Sequence, residues 1–192
     1  MWTIIKKEVK SYFLSPIAYI FIGLFLFMNS IFFYLDVYAI GRVNFEYMFG
    51  SLATVLTFVV PILTMRMFAE ERKNGTEQIL YTSPRSITSI VLGKFLAATI
   101  IMVICEVFTL MYLGILKYFG QPHISTALVT LLGFLLLSMA YIAFGMFASS
   151  ITENQIIAGV ITIAGLLVIW FMPSFYSLSL IHISEPTRPE PI

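Results

Sequence analysis

Two long stretches of this chain carry no charge at all: residues 11–35 and residues 118–152. A helix needs about 20 apolar residues to cross the hydrocarbon core of a bilayer. Each stretch is long enough for that. Charges punctuate the rest of the chain so that three further runs stand out. The expected spans are Ile17–Leu35, Tyr47–Met65, Phe95–Leu116, Ala127–Ser149 and Gln155–Met172. Only Glu106 interrupts the third. Any one of these runs could be a buried helix of a soluble domain. Together they cannot, because 59% of the 192 residues are hydrophobic and 11% are charged, against about 25% charged in soluble domains. A soluble domain of this size has too little interior to hide that surface. The expected fold is therefore all-α, a polytopic membrane helix bundle.

What composition excludes is as useful. A net charge of +1 gives no polybasic footprint, so nucleic acid is not an expected partner. Cys105 is the single cysteine, so no internal disulfide can form. The first apolar run is too long for a signal-peptide core, and no small-residue cleavage site follows it.

Lysines and arginines set the expected orientation. Lys6, Lys7, Lys10, Arg66, Arg72, Lys73, Arg85 and Lys94 fall on one side of the five spans; Arg42 and Lys117 fall on the other. The first side, with the N-terminus, is expected in the cytosol. Tyr34, Tyr38, Tyr47, Tyr112, Tyr118 and Trp170 would mark the outer interface, and Trp2, Tyr12 and Phe13 the inner one.

Ahead of the first span lies an amphipathic segment. At about 100° per residue, Trp2, Ile5, Val9, Tyr12 and Phe13 share a face, and Lys6, Lys7, Glu8, Lys10 and Ser11 lie opposite; Ile4 is the exception. That pattern suits a helix lying in the membrane plane with its lysines toward headgroups. Ser15-Pro16 then predicts a helix start, with serine as cap and proline at the first helical position.

The longest polar stretch is Arg66–Lys94. Met67–Asn74 is expected to continue the second span as a helix. Gly75 suits the left-handed residue that ends a helix. Thr76 can cap a short new helix, Glu77–Tyr81, with Glu77 in its first turn. Ser83-Pro84 repeats the start signal, and Ile87, Ile90 and Val91 lead at helical spacing into the third span. Spacing alone leaves two readings for the exposed Ile79, Leu80 and Tyr81: a ridge held by a partner, or a piece resting on the membrane surface. Further on, Thr152 and Gln155 fit a capping box. Gly145 and Ser149 have the spacing that lets two helices approach closely.

The stretch Pro61-Ile62-Leu63-Thr64-Met65-Arg66-Met67-Phe68-Ala69-Glu70-Glu71-Arg72, followed by Gly75-Thr76-Glu77, Ser83-Pro84 and Gly93-Lys94, resembles the hallmark region of type-2 ABC transporter permeases. The Lys6-Lys7-Glu8 helix and residues 149–155 are similar to that family as well. The resemblance covers residues 1 to about 176 and lies nearest to bacterial gliding-motility-associated and multidrug-like permeases. It implies an interfacial elbow helix followed by six spans, in the bacterial inner (plasma) membrane, with both termini cytosolic. It implies two permease subunits, identical or different, paired with two copies of an ABC ATPase. It implies a coupling helix docking on that ATPase, by position Thr76–Tyr81, with Glu70, Glu71, Arg72, Gly75, Thr76, Glu77, Ile79, Leu80, Tyr81 and Pro84 as the coupling loop. Membrane lipid is the remaining partner.

Five spans are one fewer than the family pattern, so the sixth is expected to be missing through truncation. Leu178-Ser179-Leu180-Ile181-His182-Ile183-Ser184-Glu185-Pro186-Thr187-Arg188 resembles, codon by codon, a transposase adapter used in sequencing libraries. Residues 1–177 are thus expected to form the permease domain and 178–192 a non-native tail.

Chemistry in the chain itself is not expected. No Gly-x-x-x-x-Gly-Lys-Ser/Thr loop is present to cradle phosphates, and no cysteine–histidine cluster or HExxH pair offers a metal site. Neither cofactor nor catalytic residue is predicted. Glu70-Glu71 is similar to the paired acids of intramembrane glutamate proteases, but the intramembrane histidines and arginine which that chemistry needs are missing. The alternatives to an ATP-driven permease are a secondary carrier, for which Glu106 would be the one midplane acid, and a membrane scaffold with no ATPase partner.

Overall fold

The computed structural model describes residues 2–39, 45–76, 86–119 and 123–183. Every regular element among them is a helix. They run in the order α1 (Trp2–Leu14), α2 (Pro16–Phe33), a π-helical turn continuing it (Tyr34–Ala39), α3 (Phe45–Thr64), α4 (Ala69–Lys73), α5 (Ile87–Phe119), α6 (Ile124–Ile151) and α7 (Gln155–Ile183). Five segments are long and apolar enough to span a membrane: Pro16–Val37, Met48–Lys73, Ile87–Tyr118, Ile124–Ile151 and Gln155–Met172. This is the expected all-α bundle with an amphipathic helix ahead of it.

The start of α2 is the one the sequence predicts. Ser15 is extended, its hydroxyl accepts from the Ile17 amide at 3.4 Å, and Pro16 occupies the first turn, where no N–H is required. The start of α7 differs from expectation. Asn154, not Thr152, supplies the side-chain oxygen to the helix, accepting from the Ile156 amide at 2.9 Å. Thr152 Oγ1 instead accepts from the Asn154 amide at 3.1 Å. The carboxamide sits one residue before the helix, where its oxygen reaches the second free amide of the first turn. α7 also runs unbroken past Ser177 to Ile183.

α3 is the central span, with 61% of its apolar window buried against 22% for α2 and for α7. Leu52, Leu56, Val60 and Leu63 recur at helical spacing and are fully enclosed. α3 packs on α2, α6 and α7. Phe134 of α6 fills the gap toward α2 and α3, its ring centroid 6.1 Å from that of Phe25 and 4.8 Å from that of Phe49. The outward faces of α5, α6 and α7 are apolar and exposed, as at Met111, Leu132, Phe147 and Val160, which is the surface a lipid environment tolerates.

α1 lies against α2 and the first turns of α5. A glycine makes that contact close: a Cβ on Gly93 would stand 2.7 Å from Ile4 Cγ2. Ile4, the residue that broke the amphipathic pattern, is therefore a packing residue. α5 is 33 residues long, about 50 Å at 1.5 Å per residue, so it exceeds the hydrocarbon core and carries Ile87–Lys94 to the same end of the bundle as α1.

Candidate functional site

The second span does not pass smoothly into the polar stretch after it. α3 stops at Thr64, residues 65–68 form turns, and α4 begins at Ala69. The sequence predicted a continuous helix over Met67–Asn74; the break corrects that reading. Pro61, in the last turn of α3, lacks the donor that would reach Thr57 O and so loosens the helix on the approach to the break, while the Met65 amide still reaches Pro61 O at 2.9 Å. The rest of the cause lies in other helices, whose side chains take the carbonyls that a continuous helix would use itself.

Three carbonyls around the break are each claimed by a different neighbour. The Tyr12 hydroxyl of α1 donates to Leu63 O at 3.2 Å. The Ser149 hydroxyl of α6 donates to Met65 O at 3.2 Å. The Lys94 ammonium of α5 donates to Met67 O at 2.9 Å. Burial, and then the negative charge of Glu8, push the Tyr12 phenol above its usual range. It therefore stays an O–H donor at all physiological pH.

Charge surrounds the same point. Lys94 is almost completely buried, and its ammonium lies 2.7 Å from Glu71 Oε1, 3.5 Å from Glu8 Oε2 and 5.4 Å from the centre of the Phe68 ring. One buried cation thus ties α1, α4 and α5 together. A buried lysine left unpaired would be strongly unfavourable, so its two carboxylates are required for the arrangement. Arg66 grips Glu70 with two nitrogens, Nε at 2.6 Å and Nη2 at 2.5 Å, while Nη1 donates to Ser15 Oγ at 2.8 Å. The two-pronged geometry fits a guanidinium to a carboxylate, and the third contact joins the break to the cap of α2. A cavity of about 220 Å³ opens beside these groups, between α1 and α4, with Lys7, Ser11 and Asn74 in its wall.

α4 ends as the sequence predicts. Gly75 has φ +67°, its amide donates to Arg72 O at 3.1 Å, and the Thr76 amide donates to Glu71 O at 3.0 Å. This pair of bonds is the Schellman closure. Thr76 therefore closes the preceding helix, and its hydroxyl also donates to Glu71 O at 3.2 Å. The expected role of Thr76 as cap of a second helix concerns residues 77–81. Glu77, Ile79, Leu80, Tyr81 and Pro84 lie outside the described residues.

Of the expected loop residues, Glu70, Glu71, Arg72, Gly75 and Thr76 come together on α4 and its end. The partners Lys94, Glu8, Ser15 and Ser149 were not singled out as functional. Lys94 read as a flanking charge, though a lone lysine seven residues inside a helical pattern was a usable signal. Glu8 read as part of the polar face, yet only 14% of its side chain is exposed.

Glu106 sits in mid-α5, apart from this cluster. It is 9% exposed, and its Oε1 has no hydrogen-bond partner among the described residues. One turn further along, Thr109 Oγ1 accepts from Asn29 Nδ2 at 2.7 Å and donates to Cys105 O at 3.0 Å. The tyrosine hydroxyl of residue 112 meets Ser30 Oγ at 2.6 Å. A polar seam thus joins α2 and α5 beside the acid. Among the described residues no group of three or more His, Cys, Asp or Glu side chains is placed to hold a metal ion.

A family model described as ABC-2 family transporter protein matches residues 40–189. No curated protein and no solved structure matches the chain.

Proposed function

This chain belongs to the ABC-2 transporter family, and we propose that it serves there as the permease subunit of an ATP-driven exporter. In this reading ATP is hydrolysed by a separate ABC ATPase, present in two copies, and two permease subunits form the pathway through the bacterial inner membrane. The N-terminus and the α1 end of the bundle face the cytosol, in keeping with the distribution of lysine and arginine.

One observation carries the reading: the break after α3 and the clasp around it. A permease with no phosphate-binding loop must receive its energy by contact. The polar stretch that begins at the break is the longest segment able to make one. Its root is not a loose loop. Tyr12, Ser149 and Lys94 fix the backbone at the break, and Glu71 and Glu8 share one buried ammonium. A push on residues 75–85 would therefore be felt by α1, α5 and α6 together. The nearly buried Lys94 ammonium transmits such a displacement with little slack, because separating it from its carboxylates leaves an unpaired charge away from water. Residues 76–81 are the proposed docking helix.

The test is reconstitution. The permease is co-expressed with the ATPase encoded beside it, purified through a tag on the permease, and placed in liposomes. The expected result is a stoichiometric complex whose ATP hydrolysis rises with transported substrate. Uptake driven by an ion gradient, with no ATPase retained, would replace this reading by a secondary carrier.

A further inference from the structure

The break in the second span leaves α4 with a difficulty common to every helix start: its first amides have no carbonyl within the helix to bond. Residue 68, at the cap position, is a phenylalanine and provides no side-chain bond. The oxygen comes from elsewhere. Ser149 Oγ accepts from the Phe68 amide and from the Ala69 amide, each at 3.1 Å, while its own proton goes to Met65 O at 3.2 Å. Ser149 is fully buried and lies some eighty positions further along the chain. A single hydroxyl therefore bonds both sides of the break, and it belongs to a different span.

The surrounding packing makes this bond sensitive to the position of α6. One turn before Ser149 stands Gly145, where a Cβ would fall 2.2 Å from Thr64 Oγ1, 2.8 Å from Thr64 Cβ and 3.1 Å from Thr162 Cγ2. The α6 backbone at Gly145 thus packs directly on the side chains of Thr64, the last residue of α3, and Thr162 of α7. Small residues at this spacing let helices approach closely, so a change in how α6 sits on α3 reaches Thr64 and Ser149 directly. A hydrogen bond weakens steeply once donor and acceptor move beyond about 3.5 Å. A shift of α6 along α3 by about one or two ångströms would stretch the three Ser149 bonds, now 3.1–3.2 Å, beyond that range.

We propose that Ser149 is a positioning residue of the coupling mechanism: it caps α4 from α6, so that the start of α4 is ordered only while α3 and α6 hold their present register. Rearrangement of the spans thereby releases or re-forms α4, and α4 carries the segment that follows Gly75. Conversely, a partner that holds α4 favours the present register of α3 on α6. This rests on the permease reading for its consequence in transport, but not for the capping itself.

Two measurements on the full chain in lipid nanodiscs separate the two. The first is amide hydrogen exchange, compared between the wild type, Ser149→Ala and Ser149→Thr. Loss of a cap is expected to raise exchange at Phe68–Lys73 about tenfold, with little change in mid-α3 and mid-α6, and Ser149→Thr should restore much of the protection by keeping the hydroxyl. Unchanged exchange at Phe68–Lys73 in Ser149→Ala, or a rise of equal size throughout α6, would overturn the proposal. The second is ATP hydrolysis in the complex with the partner ATPase. Ser149→Ala should retain the ATPase but lose at least half of the stimulation by substrate, with Ser149→Thr recovering it. Full stimulation in Ser149→Ala would remove Ser149 from coupling. If the wild-type chain retains no ATPase, the permease reading fails while the exchange result still decides whether Ser149 caps α4.

Discussion

Lys94 Nζ stands 2.7 Å from Glu71 Oε1, and the lysine side chain is only 3% exposed. The pair closes the short helix α4 onto α5, and Glu8 of α1 completes it from the other side. A buried cation held by two acids on two helices is a device for fixing positions more than for adding stability.

Removing one member should therefore cost more than removing both. Lys94→Met is expected to destabilise the protein by about 1–3 kcal/mol, because two partly buried carboxylates then lose their counter-ion and keep only the water that the adjoining cavity admits. Adding Glu71→Gln to it should recover part of that loss, since the remaining amide needs no cation. A double-mutant cycle on the unfolding midpoint in detergent measures the coupling directly. Additive losses would show that the two side chains do not depend on each other.

Helix packing at the break gives a cleaner contrast. Gly145→Ala places a methyl group 2.2 Å from Thr64 Oγ1 and 2.8 Å from Thr64 Cβ, and the second contact is relieved only if the two backbones move apart. The expected cost is about 1–3 kcal/mol, the usual range for overpacking. Gly133→Ala in the same helix meets nothing within 4 Å and should be neutral or slightly stabilising, because alanine is the better helix former. Thermal unfolding in nanodiscs checks both, and equal behaviour of the two variants would remove the close contact from the account.

Much of this arrangement was legible in the sequence, and the reasons separate by length scale. Charge-free runs located five spans because bilayer thickness fixes helix length. Ser15-Pro16 and Gly75 were legible because caps and left-handed turns are local chemistry. The break at residues 65–68 was not, since Tyr12, Lys94 and Ser149 come from three other helices and leave no local signature. For the same reason Glu8 and Lys94 read as surface charges: a partner on another helix is invisible until the helices pack. Asn154 was passed over for Thr152 because both residue types cap well, and only backbone geometry chooses between them.

Glu106 tests whether the polar seam of α2 and α5 is structural or part of the transport path. An ionised acid in mid-span costs about 3 kcal/mol on insertion scales, so a neutral carboxyl is the simpler state. Transport should then fall with Glu106→Ala and survive Glu106→Gln, which keeps shape and polarity. Loss of transport with both variants, at normal membrane insertion, would assign the acid a direct role.

The tail offers a prediction at the level of DNA. Residues 178–192 are proposed to be adapter-derived, although α7 continues through Ile183 and the family match runs to residue 189. Leu178, Leu180, Ile181 and Ile183 are apolar and can extend a helix whatever their origin. The coding sequence from the Leu178 codon through the Arg188 codon should match the adapter base for base and be followed by index sequence. Synonymous departures from it would make the tail native.

Coupling is the sharpest test, because the proposed docking helix and the structured root beside it can be perturbed separately. Gly75 has φ +67°, a conformation that is strained for a β-branched residue. Gly75→Val should therefore misdirect everything after α4 without touching a span. Leu80 belongs to the apolar ridge of Ile79, Leu80 and Tyr81 that the sequence predicts, and a large side chain buried in a partner groove contributes about 1.5–3 kcal/mol. Leu80→Asp should then weaken ATPase binding by at least about tenfold while membrane insertion stays normal. Shortening the connection between α5 and α6, at the opposite end of the bundle, should leave binding unchanged. The measurement is ATPase co-purification with each variant, followed by substrate-stimulated hydrolysis. Normal binding and stimulation in Leu80→Asp would show that this segment does not dock. A loss in Gly75→Val alone would then place the coupling contact on α4 itself, among Glu70, Glu71 and Arg72.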